Sequence, residues 1–157
     1  MSRRYTIVEP SFAAAANMNL IEIKGASGKV LEVLRWWWRP TDNTLAPAQV
    51  LYTRCRLLPA TVTDATGGVN SSPSIMANDG GDTAAGFTAI TKGTAGASTS
   101  GTARLYDSAG SHSYNGYDQT IEEGVTVKSG EAFVFEIVGS VTTTINITVG
   151  AEVEEIG

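Results

Sequence analysis

The segment VTTTINITVGAEVE, Val141 to Glu154, places Val141, Thr143, Ile145, Ile147, Val149, Ala151 and Val153 at odd positions. Thr142, Thr144, Asn146, Thr148, Gly150, Glu152 and Glu154 fill the even ones. A period of two held this long is the pattern of a strand with one buried and one wet face. Just upstream, Glu131 to Val138 sets Phe133, Phe135 and Ile137 on one side. The Gly139-Ser140 pair between the two segments predicts a tight hairpin. Further out, Val50 to Leu58 alternates Leu51, Thr53, Cys55 and Leu57 against Tyr52, Arg54, Arg56 and Leu58. Ile21 and Ile23 bracket Glu22 in a similar piece. Val30 to Arg39 has apolar residues at both parities, which predicts a strand covered on both faces. Tyr5 to Val8, Gly86 to Thr91, Ala103 to Tyr106 and Tyr114 to Ile121 are weaker strand candidates. Ala13 to Ala16 has helical propensity, but Pro10 and the strand-like stretch after it make a helix the minority reading. Many short strands without a helical stripe predict one all-β domain over 1–157, an antiparallel β-sandwich of jelly-roll-like type, with 1–12 as an N-terminal arm or first strand.

Of 157 residues, 68 are Thr, Ala, Gly or Ser, while Val, Ile, Leu and Phe together number 35. That is enough for one core and not for two. Residues 61–102 hold only Val62, Val69, Ile75, Met76, Phe87 and Ile90 as large apolar side chains. Such a segment builds no core of its own and predicts a long loop excursion, either mobile or ordered by packing on something else. The first 60 residues carry a charge of +4 and the remainder −9, within a net −5. The acidic balance argues against nucleic acid as the main partner. The longest uncharged stretch, Ile137 to Ala151, is too rich in threonine to be a membrane span.

Little here suits catalysis. The single histidine, His112, lies in a polar turn-like stretch and no nucleophile elbow is present, so it reads as a loop residue. Cys55, the single cysteine, alternates with core positions and reads as a small core residue. Glu122-Glu123 and Glu152, Glu154 and Glu155 are clustered acids that a sandwich hydrolase would need facing each other across a cleft; a wet edge is the plainer reading. Asn78-Asp79-Gly80-Gly81-Asp82 resembles a calcium turn but lacks further spaced carboxylates, so no metal and no cofactor is expected. Asn70-Ser71-Ser72 and Asn146-Ile147-Thr148 match the glycosylation triplet. The most informative short motif is Arg35-Trp36-Trp37-Trp38-Arg39. Alternation sends Trp36 and Trp38 to one face and Trp37, Arg35 and Arg39 to the other, and a sandwich buries only one of them. Trp with Arg is the pair enriched where partners bind. Arg35, Trp37, Arg39, Arg54 and Arg56 are therefore the candidate partner-binding residues, with coverage of Trp37 by the same chain as the competing reading.

Arg4-Tyr5-Thr6, Leu20-Ile21-Glu22-Ile23, Asn78 to Ala85, Tyr114-Asn115-Gly116-Tyr117 before Glu122-Glu123, and the closing Val153-Glu154-Glu155-Ile156-Gly157 run nearly the length of the chain. On these features it resembles a family of small β-rich proteins of tailed-phage and prophage structural regions, in which proline often stands where this chain has Gly80. The resemblance implies a virion structural protein, most like the capsid decoration or cement proteins, which are β-sandwich trimers seated between capsomers. It implies the major capsid protein and further copies of the chain as partners, the capsid surface as location, and no enzymatic activity. A tail fibre or tip domain that binds host glycans is the alternative.

Overall fold

The computed structural model describes residues 2–41, 49–59, 61–81 and 83–157. Twelve strands are found among them and no helix. They are β1 (Ser2–Ala13), β2 (Asn19–Lys24), β3 (Val30–Pro40), β4 (Val50–Leu58), β5 (Val62–Thr63), β6 (Ser74–Ala77), β7 (Thr88–Gly93), β8 (Ser98–Thr99), β9 (Arg104–His112), β10 (Tyr117–Val127), β11 (Ala132–Ile137) and β12 (Asn146–Ile156). The first sheet runs β10-β3-β12-β1-β6 and the second β7-β2-β11-β4-β9, every pairing between them antiparallel. Without β6 and β7, the orders β1-β12-β3-β10 and β2-β11-β4-β9 are those of an eight-stranded jelly roll. The predicted sandwich is thus the fold.

The two sheets close on one apolar core. From the first come Tyr5, Ile7, Leu31, Val33, Trp36, Trp38, Val149, Ala151 and Val153; from the second come Ile21, Ile23, Leu51, Cys55, Phe133 and Phe135. Trp36 stacks on Phe133 with ring centroids 5.1 Å apart. Side chains of this size remove some 1.5–3 kcal/mol of apolar surface from water each, the main force pressing the sheets together.

Three local expectations change. Val30 to Arg39 carries apolar residues at both parities because of a bulge at Leu34, not because both faces are covered. Val153 pairs with Val33 and Glu152 with Arg35, so the extra residue moves the inward set from Leu31 and Val33 to Trp36 and Trp38. Gly139-Ser140 makes no hairpin, since β11 pairs with β2 and β4 while β12 crosses to the other sheet beside β1 and β3. The final strand starts at Asn146, since the Gln49 side chain accepts from the backbone N–H of Thr142 and donates to the carbonyl of Thr143, holding that stretch off a ladder. The preference against a helix at Ala13 to Ala16 holds, with Ala13 in β1 and Ala14 to Ala16 not helical.

The described residues of 61–102 pack on their own chain. They add β6 to β1 and β7 to β2, extending both sheets at the same edge, and pair β5 with β8. Four buried glutamates on the jelly-roll strands take part in seating them. Glu9 accepts from Asn70 Nδ2 at 2.6 Å and Thr91 Oγ1 at 2.7 Å and pairs with Lys92 at 3.0 Å. Glu22 accepts from the Ala65 N–H at 3.0 Å, and Glu155 from the Gly86 N–H at 2.7 Å. Glu136 accepts from Arg54 and Arg56, and Arg56 reaches on to the Ala97 carbonyl. A small second cluster of Leu58, Ala65, Ala97, Ala132 and Val134 lies between this strap and the outer face of the second sheet. Hydrogen bonds to buried carboxyl groups do here what large apolar side chains do elsewhere, which accounts for the composition of 61–102.

Candidate partner-binding surface

On the outer face of the first sheet, β3 presents Arg35, Trp37 and Arg39. Register sets Asp118 and Gly150 on either side of Trp37, and Thr120 and Glu152 on either side of Arg35. Arg35 holds Asp118 in a two-pronged pair, Nε to Oδ1 at 2.8 Å and Nη2 to Oδ2 at 2.6 Å, and reaches Glu152 at 3.1 Å. Arg39 approaches the same Asp118 at 3.5 Å. The Arg35 guanidinium also lies 5.1 Å from the Trp37 ring centroid, a cation–π contact. The Arg35 hydrogen bonds hold the Asp118 carboxyl below the usual carboxylate range against the opposing effect of burial.

Trp37 is half-buried because its six-membered ring lies against Gly150. A Cβ added at Gly150 would fall 2.1 Å from Cζ2 and 2.7 Å from Cη2 of the indole. Glycine is thus a steric requirement here, and the ring is held by its own sheet below and by arginine beside it. Arg39 remains 63% exposed. The result is a flat aromatic with a mixed-charge rim.

The five residues singled out from the sequence do not form one surface. Arg54 and Arg56 stand on the outer face of the second sheet, on the opposite side of the sandwich, and both donate to Glu136. Arg56 is 19% exposed and held under the strap. Gly150, Asp118 and Glu152 were not among the candidate partner-binding residues, because each joins the site through register alone.

A second surface belongs to the outer edge of the second sheet. Tyr52 is 60% exposed, Leu105 62% and Tyr106 42%, with Val50 and Tyr114 also exposed nearby in the chain. Tyr52 lies along Gly110, where an added Cβ would meet Cε1 at 2.9 Å.

The remaining candidates are placed as follows. Cys55 is fully buried, and burial, with Asp107 and Glu136, pushes its thiol up. His112 stacks on Tyr114 at 4.7 Å. Glu122 and Glu123 are exposed on a four-residue bulge in β10, while Glu155 is buried and Glu152 and Glu154 point outward, so these acids do not face each other across a cleft. Asp79 accepts from the Gly81 N–H in an Asx turn, and Asp82 lies outside the described residues. Among the described residues no group of three or more His, Cys, Asp or Glu is arranged to hold a metal ion. An open groove of about 360 Å³ beside β6 and β7 is lined by Ser71, Pro73, Ile75, Ala85, Phe87 and Ala89 among others, none of them titratable. No helix among the described residues is long and apolar enough to cross a membrane. No protein-family model, no curated protein and no solved structure matches the chain.

Proposed function

We propose that this chain is a non-enzymatic structural component of a tailed-phage virion, a decoration protein that binds the outer capsid surface through the Trp37 face and is present there as an assembly of its own copies. The observation that carries the reading is that face: an indole backed by glycine, flanked by Arg35 and Arg39, and rimmed by Asp118 and Glu152. Trp and Arg at the centre of a flat surface are the residues that supply most of the binding energy in protein interfaces. A rigid core and a strap seated by the same chain suit a protein whose work is contact. The sequence resemblance supplies the capsid as partner.

Purified particles stripped of the protein and incubated with it test the reading. Wild type is expected to re-bind to the shell, and Trp37→Ala to bind at least about tenfold more weakly, a loss of about 1.4 kcal/mol or more. Circular dichroism confirms that the variant is folded. Absence from the capsid surface overturns the proposal, and location at the tail with glycan binding lost in Trp37→Ala establishes the host-surface reading instead.

A further inference from the structure

We infer that β9 is a self-association edge, pairing antiparallel with β9 of a second copy so that the second sheets of two chains run on as one. A sheet edge offers unpaired backbone N–H and C=O groups to any strand, and folded proteins blunt such edges by shortness, charge, bulges or cover. The sandwich has four edge strands among the described residues. β6 is only four residues long. β7 is met by its own chain, with Asn70 and Thr91 exchanging both backbone hydrogen bonds. β10 carries Asp118, Glu122 and Glu123 and is broken by the bulge at 121–124.

β9 carries less of this protection, since Arg104 and its bulge both lie within its first three residues. It is nine residues long, contains no proline, and its one carboxylate, Asp107, accepts the Tyr117 hydroxyl. Its bulge, between the positions opposite Cys55 and Arg56, turns side chains outward without closing the edge. Asp107 faces inward opposite Cys55 and Leu105 outward opposite Arg56, so Tyr106 joins Leu105 on the outer face.

The occupant is a second copy because the strand is complementary to itself. Pairing centred on Ser108 sets Tyr106 of each chain opposite Gly110 of the other, both on the outer face. Gly110 is the residue along which Tyr52 of its own chain already lies, so the incoming Tyr106 ring arrives beside Tyr52. An aromatic ring laid over a strand glycine is a recognised stabilising cross-strand pair. Asp107 falls opposite Ala109 and Ser108 opposite its own copy, so no like charges face each other on this side of the bulge. The exposed parts of Val50, Tyr52, Leu105, Tyr106 and Tyr114 amount to roughly 500 Å², at the top of the range for the largest apolar patch of a monomer. A stable dimer buries about 800 Å² per partner, and this apolar patch supplies more than half of that. The contact is two-fold and closed. It does not rest on the capsid reading, uses the opposite side of the sandwich from Trp37, and departs from the trimer that the resemblance implies.

Light scattering on the purified chain from about 1 to about 100 μM tests the inference, spanning association free energies from about −8 to about −5.5 kcal/mol. A dimer is expected, and Leu105→Glu/Tyr106→Glu, which replaces the exposed apolar side chains of the contact with carboxylates, is expected to leave a monomer over this range. Hydrogen exchange on wild type needs no variant: amides of 104–112 should be protected at the high concentration and released on dilution. A monomer throughout, a trimer, a dimer unchanged in the charged variant, or exchange in β9 independent of concentration would each overturn the proposal.

Discussion

Gly150→Ala is the sharpest test of the packing on the outer face of the first sheet. The glycine's backbone conformation is open to any residue, and alanine at a strand interior gains about 0.5–1 kcal/mol over glycine through lower chain entropy. Here the new methyl would stand 2.1, 2.5 and 2.7 Å from three carbons of Trp37, against about 3.5–4 Å for ordinary carbon contact. The ring must lift by more than an ångström or swing off the sheet. Losing cover on one indole face re-exposes on the order of 80 Å², worth about 2 kcal/mol, so the net loss is about 1–1.5 kcal/mol, or some 3–5 °C in melting temperature for a chain this size. The same substitution in a Trp37→Ala background meets no ring and should stabilise by about 0.5–1 kcal/mol. Thermal and urea unfolding followed by circular dichroism on the four proteins of this cycle measures the coupling. A Gly150→Ala protein as stable as wild type, or a substitution with the same sign in both backgrounds, refutes the seating of Trp37 on Gly150.

Two further outcomes follow from buried groups. Burial first, and then the neighbouring Asp64 charge, raise the Glu22 carboxyl above its ordinary value of 4.5, against the lowering effects of the Ala65 N–H and Lys24. The contribution of Glu22 to stability is therefore full below pH 4.5 and is lost as pH rises through the raised value. Glu22→Gln keeps an acceptor for Ala65 without the charge, so it should be more stable than wild type by on the order of 1 kcal/mol at neutral pH, the advantage shrinking toward pH 4.5; urea titrations across that range measure it, and an advantage that grows on acidification would contradict the assignment. The Cys55 thiol, fully buried and shifted upward, should resist alkylation at pH 8 in the native protein and react at once in urea, as mass spectrometry would show; full labelling of the native chain within minutes would contradict its burial.

The sandwich was legible because strand alternation is a local property. Leu51, Thr53, Cys55 and Leu57 face the core as their spacing predicts, and so do Ile145 to Val153 at odd positions. Phe133, Phe135, Trp36 and Trp38 were likewise readable as core from parity, although the Leu34 bulge, one residue in the register, disguised the strand that carries the tryptophans. Gly139-Ser140 marked where the chain leaves a strand but not which sheet the next strand joins, a choice made by competition among all strands for buried positions.

The site and the strap lay beyond such reading. That Arg35, Trp37 and Arg39 share a face follows from their spacing, but Asp118 stands 83 residues from Arg35 in the chain and meets it only through the β3–β10 register. Gly150 likewise reaches Trp37 only across the β3–β12 pair. Segment 61–102 read as an excursion in need of a neighbour because its composition lacks apolar anchors; the anchors are Glu9, Glu22, Glu136 and Glu155, spread from β1 to β12 and buried by the strap they hold. By itself, then, the sequence determined the fold class, the core faces of most strands and a composition with one histidine and one cysteine, since side-chain period and residue type are local. Tertiary structure alone decided which charges pair, which glycine lies under Trp37, how the strap is seated and which sheet edge is left open, since each depends on register between residues far apart in the chain.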